Sequence, residues 1–299
     1  MTDRLTAPRL PEWLETQLPY DRYLVEVEPG LRMHVMEQGH GRPVVLIHGN
    51  PTWGYLYRKV VAELSEDPVR LIMPDLVGLG FSDRPGSSSD HTLSNHSRWL
   101  SSAMTQLRVA GAVVVVQDWG GAIGIHTAMQ TPGLMSGLVA LNTILGAPKP
   151  GFTPTRFHRV MKSFGGNVLN TFGWPHRHLN FAQGGEEPMP RSVQKAYNYP
   201  LSRTRGGNAA VLALARMVPD SLDHASVAPL REVEQTVEAF DGPSAIVWGS
   251  RDPVLGRVLR RIARQLPQAG ITETDGGHFL QEQRPVEIAA AIRAVVARS

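Results

Sequence analysis

The stretch VVVVQDWGGAIG, residues 113–124, decides how this chain folds. A short run that is apolar throughout suits a parallel strand buried on both faces. The run ends at Gln117; Asp118, Trp119, Gly120 and Gly121 follow, and a helical stretch covers Ala122–Gln130. Strand, sharp turn and helix, with one polar side chain at the bend, form the layout of a nucleophile elbow. Small residues must flank the exposed group because the turn brings backbone against backbone. Val116 stands where the first glycine usually does, and Gly120 and Gly121 supply the rest. On this segment alone, Asp118 reads equally as a nucleophile or as a helix N-cap, a common place for Asp after a strand.

Working outward, similar apolar runs occur at Pro43–Ile47, Val69–Met73, Leu138–Leu141 and Ser244–Trp248, and residues 31–38 alternate as a half-buried strand does. Helical stretches lie between or after them at Leu93–Leu107, Leu255–Leu266 and Val286–Ala297. This alternation predicts an α/β fold: a mostly parallel, doubly wound sheet with right-handed crossovers. Between Ala147 and about Asp220 no strand-like run occurs, and Pro, Gly, His and aromatic residues are frequent. That region is expected to be a helical lid, residues 148–219, inserted between two strands of a core made of 1–147 and 220–299. Its patchy hydrophobicity would hardly support a core of its own.

Composition narrows the chemistry. The 299 residues are 42% hydrophobic, enough for a sizeable core. With no cysteine, a disulfide scaffold, a thiolate zinc site, an iron–sulfur cluster and a cysteine nucleophile are all excluded. The net charge is +3, and the basic residues are scattered, apart from Arg257–Arg264 on one helix face. Nucleic-acid binding needs a concentrated patch, so no nucleic-acid partner is expected. No apolar stretch approaches the ~20 residues of a membrane span, and the N-terminus lacks a secretory apolar region. A cytoplasmic protein without membrane partners is expected.

Three further segments carry candidate chemistry. VVLIHGNPTWG, residues 44–54, runs from a buried strand into His48-Gly49-Asn50-Pro51. MPDLVGLGFSDRP, residues 73–85, follows the next strand. ITETDGGHFLQEQRP, residues 271–285, places His278 in a Gly-rich loop between a strand and the last helix. An order of nucleophile, acid, histidine fits Asp118, Asp252 and His278. Asp252 lies just past the apolar run IVWG; Asn142, at the end of the previous strand, is the other slot. Asn cannot carry the charge that stabilises an imidazolium, which favours Asp252.

With HGNPTW and QDWGG together, the chain resembles the haloalkane dehalogenases of the α/β-hydrolase fold, from about residue 20 to the last helix. The resemblance implies Asp118 as nucleophile, His278 as base and Asp252 as acid, with Asn50 and Trp119 as halide binders. It also implies an oxyanion hole from the backbone N–H groups of Asn50 and Trp119. This pattern looks like the family's third subgroup, whose members self-associate, so a homo-oligomer is implied. Another subgroup uses a lid tryptophan, which keeps Trp174 in play; Phe164, Phe172, Phe181 and Leu145 are further candidates for an apolar pocket, with core packing the default for each. His158, His176 and His178 are expected to decorate the lid.

The residue types suit carbon–halogen cleavage. Serine attack on saturated carbon would give an ether that water could not reverse; Asp118 would give an ester that water activated by His278 can hydrolyse. A departing halide needs N–H donors, which Asn50 and Trp119 would provide. No metal or organic cofactor is required; the expected ligands are a small apolar halogenated substrate and the halide ion. An epoxide hydrolase is the nearest alternative, with Tyr197 or Tyr199 as alkoxide donors, but the later stretch Ala213-Leu214-Ala215-Arg216 offers no second hydroxyl. Fluoroacetate-type dehalogenases place arginine beside the nucleophile, where Trp119 stands, and an esterase would need serine at the elbow. A non-catalytic scaffold usually loses a catalytic member, and here all five positions are filled.

Overall fold

The computed structural model describes residues 4–173, 177, 179–184, 188–203 and 208–299. Nine strands form one sheet: β1 (Leu5–Thr6), β2 (Asp21–Glu28), β3 (Leu31–Gln38), β4 (Arg42–Ile47), β5 (Val69–Pro74), β6 (Ala112–Asp118), β7 (Met135–Thr143), β8 (Ser244–Gly249) and β9 (Gly270–Thr274), in the order β1-β2-β3-β5-β4-β6-β7-β8-β9. The first three strands pair antiparallel, β3 joins β5 antiparallel, and the pairs from β5 to β9 are parallel. The order reverses between β4 and β6, where an open parallel sheet leaves a crevice at its C-terminal edge.

The apolar runs follow from two-sided burial. Along β6, Val114 and Val116 enter one core while Val113 and Val115 enter the other. In β7, Leu138 and Ala140 face the first and Val139 and Leu141 the second. Because successive side chains alternate faces, a strand covered on both sides must be apolar at every position. Each such Val or Leu contributes about 2 kcal/mol by leaving water. One core includes Leu100 and Met104 from the helix Leu93–Gln106, Ile123 from Trp119–Gln130 and Val233 from Val227–Glu238. The other takes Val60 from Arg58–Glu63 and Ile288 and Ile292 from Pro285–Val296.

Between β7 and Val227–Glu238 lie the helices Arg156–Lys162, Phe164–Thr171, Leu179–Gln183, Arg191–Ser202 and Ala209–Arg216. They are tied to the sheet's loops by directed bonds. Trp53 Nε1 donates to the Ala196 carbonyl at 3.2 Å, and Arg84 donates to the Pro200 carbonyl at 3.2 Å. The Tyr197 hydroxyl donates to Glu282 at 2.6 Å.

Some expectations shift by a turn. The helix after the elbow begins at Trp119 rather than Ala122, and the one expected from Leu255 opens as a 3-10 turn over Gly256–Val258 before Leu259–Gln265. No helix among the described residues is long and apolar enough to cross a membrane.

Candidate active site

β6 ends at Asp118 and the helix starts at the next residue. Asp118 has φ 51° and ψ −126°, a conformation that crowds the side chain of any L-residue against its own backbone. Asp118 occupies the N-cap position of the helix, but its side chain makes no capping bond there and is left to face the site. Gly120 explains how the bend closes: a Cβ there would strike the carbonyls of Ile47 and His48 at the end of β4. The Thr143 hydroxyl donates to the Asp118 carbonyl at 2.6 Å, which fixes the bend from β7. The Asn50 backbone N–H donates to Asp118 Oδ1 at 2.8 Å.

The loop that aims this N–H is itself braced. His48 Nδ1 lies 2.9 Å from the Gly49 carbonyl, and its Nε2 accepts from the Leu76 N–H at 2.9 Å. Those two partners specify a neutral ring with its proton on Nδ1, in keeping with burial lowering its pKa. The segment after β5 uses Asp75 in the same way. Its fully buried carboxylate accepts from the Gly54 and Phe81 N–H groups, both at 2.8 Å, and meets His34 Nδ1 at 2.9 Å. Residues 73–85 thus shape the loop beneath the site.

His278 reaches the same point from the loop after β9. Its Nδ1 lies 2.8 Å from Asp252 Oδ2, and its Nε2 lies 3.7 Å from Asp118 Oδ2. Asp252, just past β8, also accepts the Val254 and Leu255 N–H groups at 2.7 and 3.0 Å. Asn142 joins the pair: its amide donates to Asp252 Oδ2 at 2.7 Å and to the Gly249 carbonyl at 3.0 Å, and its Oδ1 accepts the Gly249 N–H at 2.7 Å. The two acid slots are therefore in contact, with the carboxylate on Asp252.

Burial sets the charges against one another. It pushes Asp118 above the usual carboxylate range, opposed by His278 and the N–H groups of Trp119 and Asn50. Asp252 is also pushed up by burial, but His278, Asn142 and the Leu255 N–H outweigh that and hold it low. Burial works against charge on His278, yet the Asp252 and Asp118 carboxylates raise its pKa to about 9.

Two cavities meet at this point and share Asp118, Trp119, Thr155, His158 and Val254. One, of about 250 Å³, runs past Asn50, His278, Phe181 and Val211; the other, of about 110 Å³, runs past Ile144, Phe152, Val218 and Arg257. Asn50 Nδ2 donates to the Val211 carbonyl at 3.0 Å, which orients the amide and leaves its second hydrogen for another acceptor. Neither Tyr197 nor Tyr199 lines either cavity. The Tyr197 hydroxyl belongs to Glu282, and Tyr199 packs edge-on against Trp13. Among the described residues no three His, Asp or Glu side chains form a metal-ligating group.

The pocket candidates divide. Phe181 lines the larger cavity and Leu145 is core; Phe164 and Phe172 are 81% and 72% exposed, so neither is core, and neither lines these two cavities. Trp174, His176 and His178 lie outside the described residues. His158 lines the junction of both cavities, and its Nδ1 lies 2.7 Å from the Thr155 hydroxyl. Burial, with the charges of His278, Lys162 and Arg257 nearby, lowers its pKa to about 4. A histidine in a lid segment carries no sequence signal of that placement. Gln183 was also invisible: its carbonyl accepts the His278 N–H at 2.7 Å.

A carboxylate at a strained elbow, a histidine held by a second carboxylate, and a largely apolar cavity equip this site for displacement followed by hydrolysis. The profile of the α/β-hydrolase fold family matches residues 42–285. A haloalkane dehalogenase of Mycobacterium marinum is 34% identical over 285 residues, 92% of this chain and 93% of that protein. A cis-3-alkyl-4-alkyloxetan-2-one decarboxylase of Xanthomonas campestris is 31% identical, covering 92% of this chain and 95% of that one. The crystal structure of the haloalkane dehalogenase DatA from Agrobacterium tumefaciens superposes with a TM-score of 0.81 at 25% identity, covering 93% of this chain and 96% of that one. With its elbow, its parallel sheet and these relatives, the chain belongs to the haloalkane dehalogenase family of the α/β-hydrolase fold.

Proposed function

We propose that this protein hydrolyses carbon–halogen bonds in haloalkanes to an alcohol, a halide ion and a proton. The observation that carries the reading is the grouping of Asn50 and Trp119 with Asp118 around one cavity, while the Tyr197 hydroxyl is committed to Glu282. N–H donors suit a departing halide, whereas an epoxide's alkoxide would call for a pair of tyrosine hydroxyls, and among the described residues no tyrosine lines this cavity. The helices of residues 148–219 serve as the cap over that cavity.

In the first step Asp118 Oδ2 attacks the carbon, because Oδ1 is already occupied by the Asn50 N–H. The carbon–oxygen bond forms as the carbon–halogen bond breaks, and the halide leaves with the electron pair toward the Asn50 amide and the Trp119 indole. The ester's carbonyl oxygen is then Oδ1. It sits where the backbone N–H groups of Asn50 and Trp119 stabilise the charge that develops when water adds to Cγ. His278 Nε2 takes the proton from that water, and Asp252 stabilises the imidazolium. Collapse of the adduct expels the alkoxide, which takes back the proton held by His278 and leaves as the alcohol. The acid formed on Asp118 then loses its own proton to solvent, which restores the carboxylate and accounts for the proton released.

A second reading draws on the fork in the cavity. The Xanthomonas relative is named for a four-membered lactone with two alkyl arms, and two largely apolar branches meeting at Asp118 suit such a shape. Loss of carbon dioxide from that ring would leave an alkene, with no external oxidant or reductant.

Bromide release from 1,3-dibromopropane by the wild type but not by Asp118→Ala would support the dehalogenase. Absence of bromide, with carbon dioxide evolved from a cis-3,4-dialkyl oxetan-2-one, would favour the second reading. Hydrolysis of styrene oxide instead would return the case to the epoxide hydrolase.

A further inference from the structure

The inserted segment meets the loops of the base and the acid together at the end of the helix Leu179–Gln183. Gln183 is buried, 2% exposed, and grips the His278 loop twice. Its backbone carbonyl accepts the His278 N–H at 2.7 Å, and its side-chain Oε1 accepts the Phe279 N–H at 3.1 Å. The loop approaches so closely that a Cβ on Gly277 would collide with the Gln183 carbonyl. The next residue, Gly184, adopts φ +67° and lies against the Arg251 carbonyl and Pro253, the two neighbours of Asp252. From the core side, the Gln117 amide donates to the His278 carbonyl at 3.1 Å.

Asp118 is held differently. Its carboxylate and carbonyl are bonded by the Asn50 N–H and the Thr143 hydroxyl, from the loop after β4 and the end of β7. The groups bonded to Asp118 itself thus come from the sheet and its loops, whereas the backbone on either side of the His278 ring takes two of its bonds from Gln183 of the inserted segment.

We infer that Gln183 is a positioning residue for His278, and that through it the inserted segment controls ester hydrolysis separately from ester formation. Which step responds rests on the dehalogenase reading; the placement of the ring does not. Losing the side-chain acceptor releases the Phe279 N–H, so the backbone that fixes His278 relaxes while Asp118 keeps its partners. Misplacement of a catalytic group by a fraction of an ångström slows its step by on the order of ten- to a hundredfold.

The test uses the full chain as Gln183→Met, which preserves length without the acceptor, and Gln183→Asn, whose shorter amide falls short of Phe279. The His278 ring is titrated by NMR, and bromide burst and alkyl-enzyme adduct are followed after rapid mixing with 1,3-dibromopropane. The expected result is a displaced ring titration, a bromide burst within about twofold of wild type, and hydrolysis of the adduct slowed by about tenfold or more. A ring that titrates as in wild type, or equal slowing of burst and hydrolysis, overturns the inference. If wild type releases no bromide, the dehalogenase reading fails by itself and the titration alone decides the role of Gln183. Should Gln183→Met not fold, Gln183→Asn carries both readouts.

Discussion

His278 Nε2 stands 3.7 Å from Asp118 Oδ2, beyond hydrogen-bond reach, while its Nδ1 sits 2.8 Å from Asp252. The gap leaves the ring attracted to Asp118 by charge alone. With both carboxylates ionised, the His278 pKa is raised to about 9. Converting Asp118 to an ester removes one of those charges, so the ring loses its proton more readily when it is needed as a base. The expected outcome is that Asp118→Asn, a neutral mimic of the ester, lowers the His278 midpoint in an NMR titration. The turnover number should rise with pH with an apparent midpoint below about 9. A midpoint in Asp118→Asn equal to or above that of wild type would contradict this coupling. Because the folded pKa exceeds the ordinary histidine value, His278 contributes stability below about pH 6.5 that is lost as pH rises toward 9.

Removing His278, the proposed base, should separate the two proposed steps. In His278→Phe the nucleophile and its Asn50 bond are intact, so 1,3-dibromopropane should yield one bromide per enzyme and then stop. Intact mass should show the bromopropyl adduct, and Asp118→Ala should show neither bromide nor adduct. Multiple turnovers in His278→Phe would assign the base elsewhere.

Asp252, the proposed acid, and its neighbour Asn142 can be ranked. Asp252→Asn removes the charge that stabilises the imidazolium, and in the triad logic this costs on the order of 10⁴-fold in turnover. Asn142→Ala leaves that charge but removes a 2.7 Å hydrogen bond to it, so a loss on the order of tenfold is expected. Steady-state rates of both variants on one substrate decide; a larger loss in Asn142→Ala would move the acid function to the end of β7.

Much of this was legible in the chain because two-sided burial writes itself as uninterrupted apolar residues. β4, β6, β7 and β8 announce themselves for that reason, and the polar residues ending them mark the edge where a site forms. β2 is subtler: Tyr23, Val25 and Val27 alternate, but Asp21, Arg22, Glu26 and Glu28 dilute the pattern because one face stays partly wet. Side chains whose partners lie far along the chain leave no local trace. Gln183 meets Phe279 across 96 positions and Asn142 meets Asp252 across 110. His158 has no periodicity that would separate a cavity-lining residue from one on the outer face.

The proposed halide donors, Asn50 and Trp119, make a further test. Trp119→Phe keeps an aromatic ring, smaller than the indole, and removes the indole N–H. One donor aimed at developing charge is worth about 3 kcal/mol, so bromide formation should fall on the order of a hundredfold. Asn50→Ala removes the amide that the Val211 carbonyl orients, and a similar loss is expected. Competition by added bromide should weaken in both variants. Undiminished burst rates in both would remove these residues from the leaving-group site.

The last prediction concerns the contact between Tyr197 and the final turn of the site. Arg58 and Glu282 form a bidentate pair at 2.5 and 2.9 Å, with side chains only 10% and 7% exposed, and the Tyr197 hydroxyl adds a third bond. Burial alone would push the Glu282 carboxyl up; Arg58, Tyr197 and Lys59 together hold it below its ordinary range. Removing Arg58 leaves the buried Glu282 carboxylate with only the half-exposed Lys59 at 3.2 Å and the Tyr197 hydroxyl, so a loss toward the lower end of the about 3–5 kcal/mol typical of a broken buried pair is expected. Arg58→Ala should therefore lower the urea midpoint sharply at pH 7, whereas Arg58→Ala/Glu282→Gln should recover part of the loss because no charge is left unpaired. In the wild type the pair's contribution is present above the ordinary glutamate pKa and is lost as pH falls through the depressed folded value. The difference between wild type and Arg58→Ala should accordingly shrink on acidification. If it stays constant from neutral pH to below 4, the buried pair is not what joins Tyr197 of the inserted segment to the core.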